Sequence, residues 1–98
     1  MAKYLPVWEA DDSRLPADPK ERGAVYEEAM KFLREEVKKG VIKDWGGFLG
    51  STSGFTVYEG TEVEVGISMQ HFVPFYSYKI YPVTTLEQAE EATKAMLK

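Results

Sequence analysis

The stretch Thr61–Phe72, TEVEVGISMQHF, decides the fold. It satisfies two incompatible templates. Val63, Val65, Ile67 and Met69 alternate, which is the period of a strand. Val65, Met69, Phe72 and Val73 instead fall at helical spacing, and Thr61 with Glu64 three residues on has the form of a capping box. A hairpin precedes the segment and a strand follows it, and joining them needs a crossover of about this length. The spacing therefore predicts a helix, ended by Pro74.

Working outward, Phe75 to Val83 reads as the last strand. Thr85 with Gln88 caps a final helix, Leu86 to Leu97, with an apolar stripe of Leu86, Ala89, Ala92, Thr93 and Met96. Upstream, Val41 to Leu49 reads as a strand, and its paired Gly46-Gly47 indicates a bulge or a close backbone approach. Gly50 to Gly54 forms a hairpin loop, and the returning strand is Phe55 to Glu59. A long helix is expected from Pro19 to about Lys39. Asp18 is its N-cap, Val25, Ala29, Phe32, Leu33 and Val37 are its apolar stripe, and Gly40 is its stop. The first strand is Lys3 to Glu9.

The order β-α-β-β-α-β-α specifies an α+β chain. Its first six elements have the ferredoxin-like βαββαβ order, a four-stranded antiparallel sheet with two helices on one face, followed by an extra C-terminal helix. Residues 1–98 form one such domain. One residue resists this order: the first strand should be central, yet it contains Pro6, and proline belongs at edges or bulges.

Composition bounds the function. The chain has 98 residues, 44% hydrophobic and 29% charged, with a net charge of −4. That describes a single folded domain and argues against nucleic-acid and anionic-membrane partners. There is no cysteine, which excludes disulfides, thiolate catalysis and cysteine-based metal sites. No apolar run is long enough for a membrane span, and Asp11, Asp12 and Arg14 interrupt any signal-like pattern, so a cytoplasmic location is expected. Asparagine is absent while Glu and Lys abound, a thermophile-like composition.

Aromatics make up 13% of the chain, and they fall on both faces of the expected sheet. Tyr4, Pro6 and Trp8 alternate with Leu5 and Val7; Phe55 and Val57 with Thr56 and Tyr58; Tyr76, Tyr78 and Ile80 with Phe75, Tyr81 and Val83. Helices cover one face only, so the other calls for a partner, most simply a second copy in a two-fold homodimer. The element order, the length and the closing run Phe75-Tyr76-Ser77-Tyr78-Lys79-Ile80-Tyr81-Pro82-Val83-Thr84-Thr85-Leu86-Glu87-Gln88-Ala89 resemble the dimeric α/β-barrel superfamily. The resemblance implies a homodimer whose paired sheets enclose a barrel-like interior. That superfamily includes muconolactone-isomerase-like enzymes, cofactor-independent monooxygenases, haem-handling proteins and non-catalytic members. None of their catalytic signatures matches this chain position by position.

The residues that could carry chemistry are few. Tyr4, Trp8, Trp45, Tyr76 and Tyr78 either line a ligand cavity between the paired sheets or simply fill a dimer core. His71, the single histidine, and Asp44 are the candidate proton carriers, with a helix-end histidine and a solvated strand carboxylate as the plainer readings. Asp11, Asp12 and Asp18 read as solvated or capping groups, and no spacing calls for a metal or a cofactor. Gly47 to Gly54 lacks the lysine of a phosphate loop and no helix follows it. Gly54-Phe55-Thr56-Val57-Tyr58 faintly resembles the strand-3 motif of an RNA-recognition module, but no Lys or Arg lies between Asp44 and Tyr78 to neutralise phosphates. Two functions follow: a homodimer that binds a small apolar or aromatic molecule, or a cofactor-independent isomerase or monooxygenase-like enzyme on a small aromatic or lactone substrate.

Overall fold

β1 (Lys3–Ala10) lies at the centre of the sheet, antiparallel to β3 (Ser53–Glu59) on one side and to β4 (Tyr76–Val83) on the other; β2 (Ile42–Gly47) pairs outside β3. The helices are α1 (Pro19–Lys39), α2 (Glu62–Gln70) and α3 (Leu86–Met96). The computed structural model describes residues 2–98. The chain is therefore α+β, with four antiparallel strands in the order β2-β3-β1-β4 and three helices. No helix among the described residues is long and apolar enough to cross a membrane.

The ambiguous segment is a helix, and its burial shows why alternation misled. Val65, Ser68 and Met69 are buried at i, i+3 and i+4, whereas Val63 and Ile67 are 70% and 57% exposed. Half of the alternating apolar residues thus face solvent. The capping box is complete: the Glu64 N–H donates to Thr61 Oγ1 at 3.2 Å, and the Thr61 N–H donates to Glu64 Oε1 at 2.9 Å. In α1, the Glu21 N–H donates to the Asp18 carboxylate at 3.1 Å. Gly40 closes α1 at φ 81°, a left-handed conformation that glycine adopts without penalty.

Pro6 does sit in the central strand, fully buried. The β1–β3 register runs Lys3↔Glu59 and Tyr4↔Tyr58, then resumes at Val7↔Phe55. Leu5 and Pro6 are skipped, as a residue without an N–H requires. Pairing with β4 continues unbroken through Pro6↔Ile80. The irregularity predicted at Gly46-Gly47 lies earlier, between Ile42 and Asp44. Gly46 and Gly47 pair regularly with Phe55 and Gly54. The close-approach reading holds instead, because a Cβ on Gly46 would overlap the Phe55 ring.

The core lies between the sheet and the first two helices, around Leu33, Ile42, Tyr58, Val65, Met69 and Phe72. The inner face also carries Tyr4, Pro6, Trp8, Thr56, Tyr76 and Tyr78, in register with one another. The outer face carries Leu5, Val7, Phe55, Val57, Tyr81 and Val83, and α1 and α2 do not cover it. No residue of α3 is buried.

Candidate functional site

The indoles of Trp8 and Trp45 stack with centroids 5.5 Å apart and planes 17° from parallel, although they belong to β1 and β2, with β3 between them. Gly54 permits this contact. It pairs with Trp8 across the β1–β3 ladder, and a Cβ there would overlap the Trp8 ring and the Gly46 carbonyl. With no side chain on β3 at this point, the Trp8 indole lies over the strand and reaches Trp45. Tyr76 meets Trp8 edge-on, with centroids 5.7 Å apart at 89°, an arrangement the ring quadrupoles favour.

Above these rings is a cavity of about 220 Å³. Trp8, Trp45, Tyr76, Tyr78, Thr56 and Tyr58 form its floor; Tyr26, Ala29, Met30 and Leu33 of α1 form its roof; Ser51 and Thr52 lie at one end. Four of the five aromatic residues singled out from sequence therefore come together. They do so between the sheet and α1 within one chain. The fifth, Tyr4, shares the inner face and packs against the core, but does not line the cavity.

No charged side chain lines this space. Its titratable groups are phenols, and burial raises the pKa of Tyr58, Tyr76 and Tyr78 alike. For Tyr78 the effect is largest, with further contributions from the neighbouring Tyr58 and Tyr76 phenols. For Tyr58, the hydroxyl of Ser68 partly offsets burial by donating to the phenol oxygen at 3.0 Å, while the charge of Glu36 adds to the rise. These phenols stay neutral at physiological pH, so they offer O–H groups and no base. The Trp8 indole N–H is covered and has no partner among the described residues.

The two candidate proton carriers lie elsewhere. His71 is the C-cap of α2, exposed, stacked on Phe32 with centroids 3.8 Å apart, its Nδ1 3.2 Å from the Ile67 carbonyl. Asp44 is exposed on β2, where its carboxylate accepts from the Trp45 N–H at 2.9 Å. Neither lines the cavity. Among the described residues, no cluster of His, Asp and Glu is arranged to hold a metal ion.

Tyr26 and Met30 were not singled out by the sequence reading. Their signal was present as a second stripe on α1, with Tyr26, Met30 and Leu33 at i, i+4 and i+7 beside the Val25 stripe. The chain matches no known family model and no curated protein sequence.

Proposed function

We propose that this chain binds a small uncharged aromatic or apolar molecule in the cavity between α1 and the sheet, and that it works as a homodimer of ferredoxin-like subunits in the manner of the dimeric α/β barrels. The observation that carries the binding reading is a cavity of about 220 Å³ with an aromatic floor and no charged lining. A dry apolar cavity of about 150 Å³ is enough to hold benzene, so this space suits a molecule of one or two fused rings. Ser51, Thr52 and the phenols supply a few polar contacts to orient it, the usual make-up of a ligand site. The strand order β2-β3-β1-β4, with α1 and α2 on one face, supports the ferredoxin-like reading. The uncovered apolar face of Leu5, Val7, Phe55 and Val57 supports pairing with a second copy.

The enzymatic alternative, an isomerase or monooxygenase without a cofactor, draws no support from the cavity. Burial holds the Tyr58, Tyr76 and Tyr78 phenols neutral there, and His71 and Asp44 lie outside it.

The test uses the two tryptophans, which both line the cavity and are the only ones in the chain. Titration with naphthalene, 2-naphthol and 1,4-naphthoquinone is expected to change tryptophan fluorescence saturably. Ala10, the last residue of β1, also lines the cavity, and Ala10→Leu, which fills part of the space, should weaken the response. A response linear in ligand for all three compounds, unchanged by the substitution, would refute binding in the cavity.

A further inference from the structure

The side chains that line the cavity are rich in hydrogen-bond donors and poor in acceptors. Tyr26, Tyr58, Tyr76 and Tyr78 each bring a phenol, while no Asp, Glu, Asn, Gln or His lines the space. The four phenols are neighbours in the order Tyr26, Tyr76, Tyr78, Tyr58. Tyr76 feels the charge of Tyr26, and Tyr78 feels those of Tyr76 and Tyr58. Close as they are, none bonds to another. Among the described residues, the one side-chain hydrogen bond to any of these oxygens comes from Ser68, which donates to Tyr58 at 3.0 Å. That bond uses the Tyr58 oxygen as an acceptor and leaves the phenol hydrogen without one. The hydrogens of Tyr26, Tyr76 and Tyr78 are in the same position. At the loop end, the Ser51 hydroxyl is already engaged by the Ser53 hydroxyl and the Ser53 N–H. The shortage extends to Trp8, whose covered indole N–H has no partner among the described residues.

This imbalance limits what can replace water there. A ligand atom that accepts can take the phenol hydrogens, whereas a ligand donor adds to the surplus. A ligand that displaces water from such donors and offers no acceptor loses affinity. The surrounding charges narrow the choice further. No cation lines the cavity, and the Glu36 carboxylate, buried on α1, is near enough for its charge to act on Tyr58. Lys39, which pairs with Glu36 at 3.7 Å, does not line the space. A ligand carboxylate would therefore meet a field of its own sign with no base to pair with.

We propose that the cavity takes a neutral aromatic molecule bearing a hydrogen-bond acceptor, a carbonyl oxygen or a ring nitrogen, and that the Tyr76 and Tyr78 hydroxyls select it by donating to that atom. These two are the middle pair of the four phenols and stand at i, i+2 on one face of β4. Neither hydroxyl is held by another side chain among the described residues, unlike that of Tyr58. The proposal rests on the reading of the cavity as a ligand site and narrows it. A bare hydrocarbon fits the space but leaves the phenols unmet.

The experiment measures dissociation constants by equilibrium dialysis at neutral pH for three probes of one shape. Naphthalene has no acceptor, quinoline has a ring nitrogen, and 2-naphthoate has a carboxylate. The proteins are wild type, Tyr76→Phe, Tyr78→Phe and the double variant, with circular dichroism checking that each folds. Wild type is expected to hold quinoline at least as tightly as naphthalene, although water solvates quinoline better. The double variant should weaken quinoline about tenfold or more while naphthalene changes by less than about threefold. Unchanged naphthalene binding shows that the cavity itself is intact. 2-Naphthoate should bind at least about tenfold more weakly than quinoline. Quinoline binding that survives the double substitution, or falls only in step with naphthalene, overturns selection by the phenols and leaves cavity binding standing. 2-Naphthoate binding as tight as quinoline overturns the neutral class. No saturable binding of any probe overturns both this proposal and the ligand-site reading beneath it.

Discussion

Ser68 on α2 donates a hydrogen bond of 3.0 Å to the Tyr58 hydroxyl of β3, and both residues are almost wholly buried. This bond fixes the short helix on the sheet from inside the core. Ser68→Ala would leave the phenol oxygen buried without its donor. The expected loss is about 1–3 kcal/mol of stability, read from urea denaturation. The double variant with Tyr58→Phe should lose less than the two single losses added together, because neither side then keeps an unmet polar group.

Gly54→Ala should separate the tryptophans. The new methyl would overlap the Trp8 ring and the Gly46 carbonyl, so strand and indole must both shift. Overpacking of this kind costs about 1–3 kcal/mol. The expected signature is a lower melting temperature together with a changed aromatic circular dichroism signal. An unchanged spectrum would mean that the stack survives the methyl group.

Thr61→Ala removes the N-cap of α2 and should cost about 1 kcal/mol. Its partner makes the cap sensitive to acid. Hydrogen bonds from Thr61 hold the Glu64 carboxyl below its ordinary 4.5. A depressed folded-state pKa gives stabilisation that is complete above the unfolded value and fades as pH falls through the folded one. The melting-temperature deficit of Glu64→Ala should therefore be full at neutral pH and shrink below about pH 4.5.

The phenols act at the alkaline end. Burial raises the pKa of Tyr58, Tyr76 and Tyr78 above the ordinary 10.0. The unfolded chain then releases these protons first, so their contribution is complete below pH 10 and declines above it. Stability should fall as pH rises past 10, and ultraviolet titration should show a group of phenols that ionise only as the chain unfolds. Tyr78→Phe should flatten the fall.

Much of this fold was legible in the sequence because caps and turns write it locally. Asp18-Pro19, Gly40, the Thr61–Glu64 pair and the Thr85–Gln88 pair each mark an end that the structure places within a residue or two. The direction of Trp45 was not legible. Ile42 and Trp45 both face inward although three residues apart, which strict alternation forbids. The one-residue irregularity between Ile42 and Asp44 reconciles them, turning Trp45 toward Trp8 and Asp44 away from the cavity. A bulge is a tertiary compromise between strands, and no residue type announces it. The position of the cavity was hidden for a related reason. Alternation assigns side chains to two faces without saying which face the helices will cover, and the roof residues Tyr26 and Met30 lie far from the floor in sequence.

The same irregularity has a consequence for how copies of this chain can meet. β2 and β4 are the two free margins of the sheet. The first is kinked beside Lys43, and the second carries Pro82, which lacks an N–H to offer a new strand. Sideways growth of one sheet into the next is thereby obstructed at both ends. Both free margins of the sheet thus carry a feature that works against open-ended strand pairing.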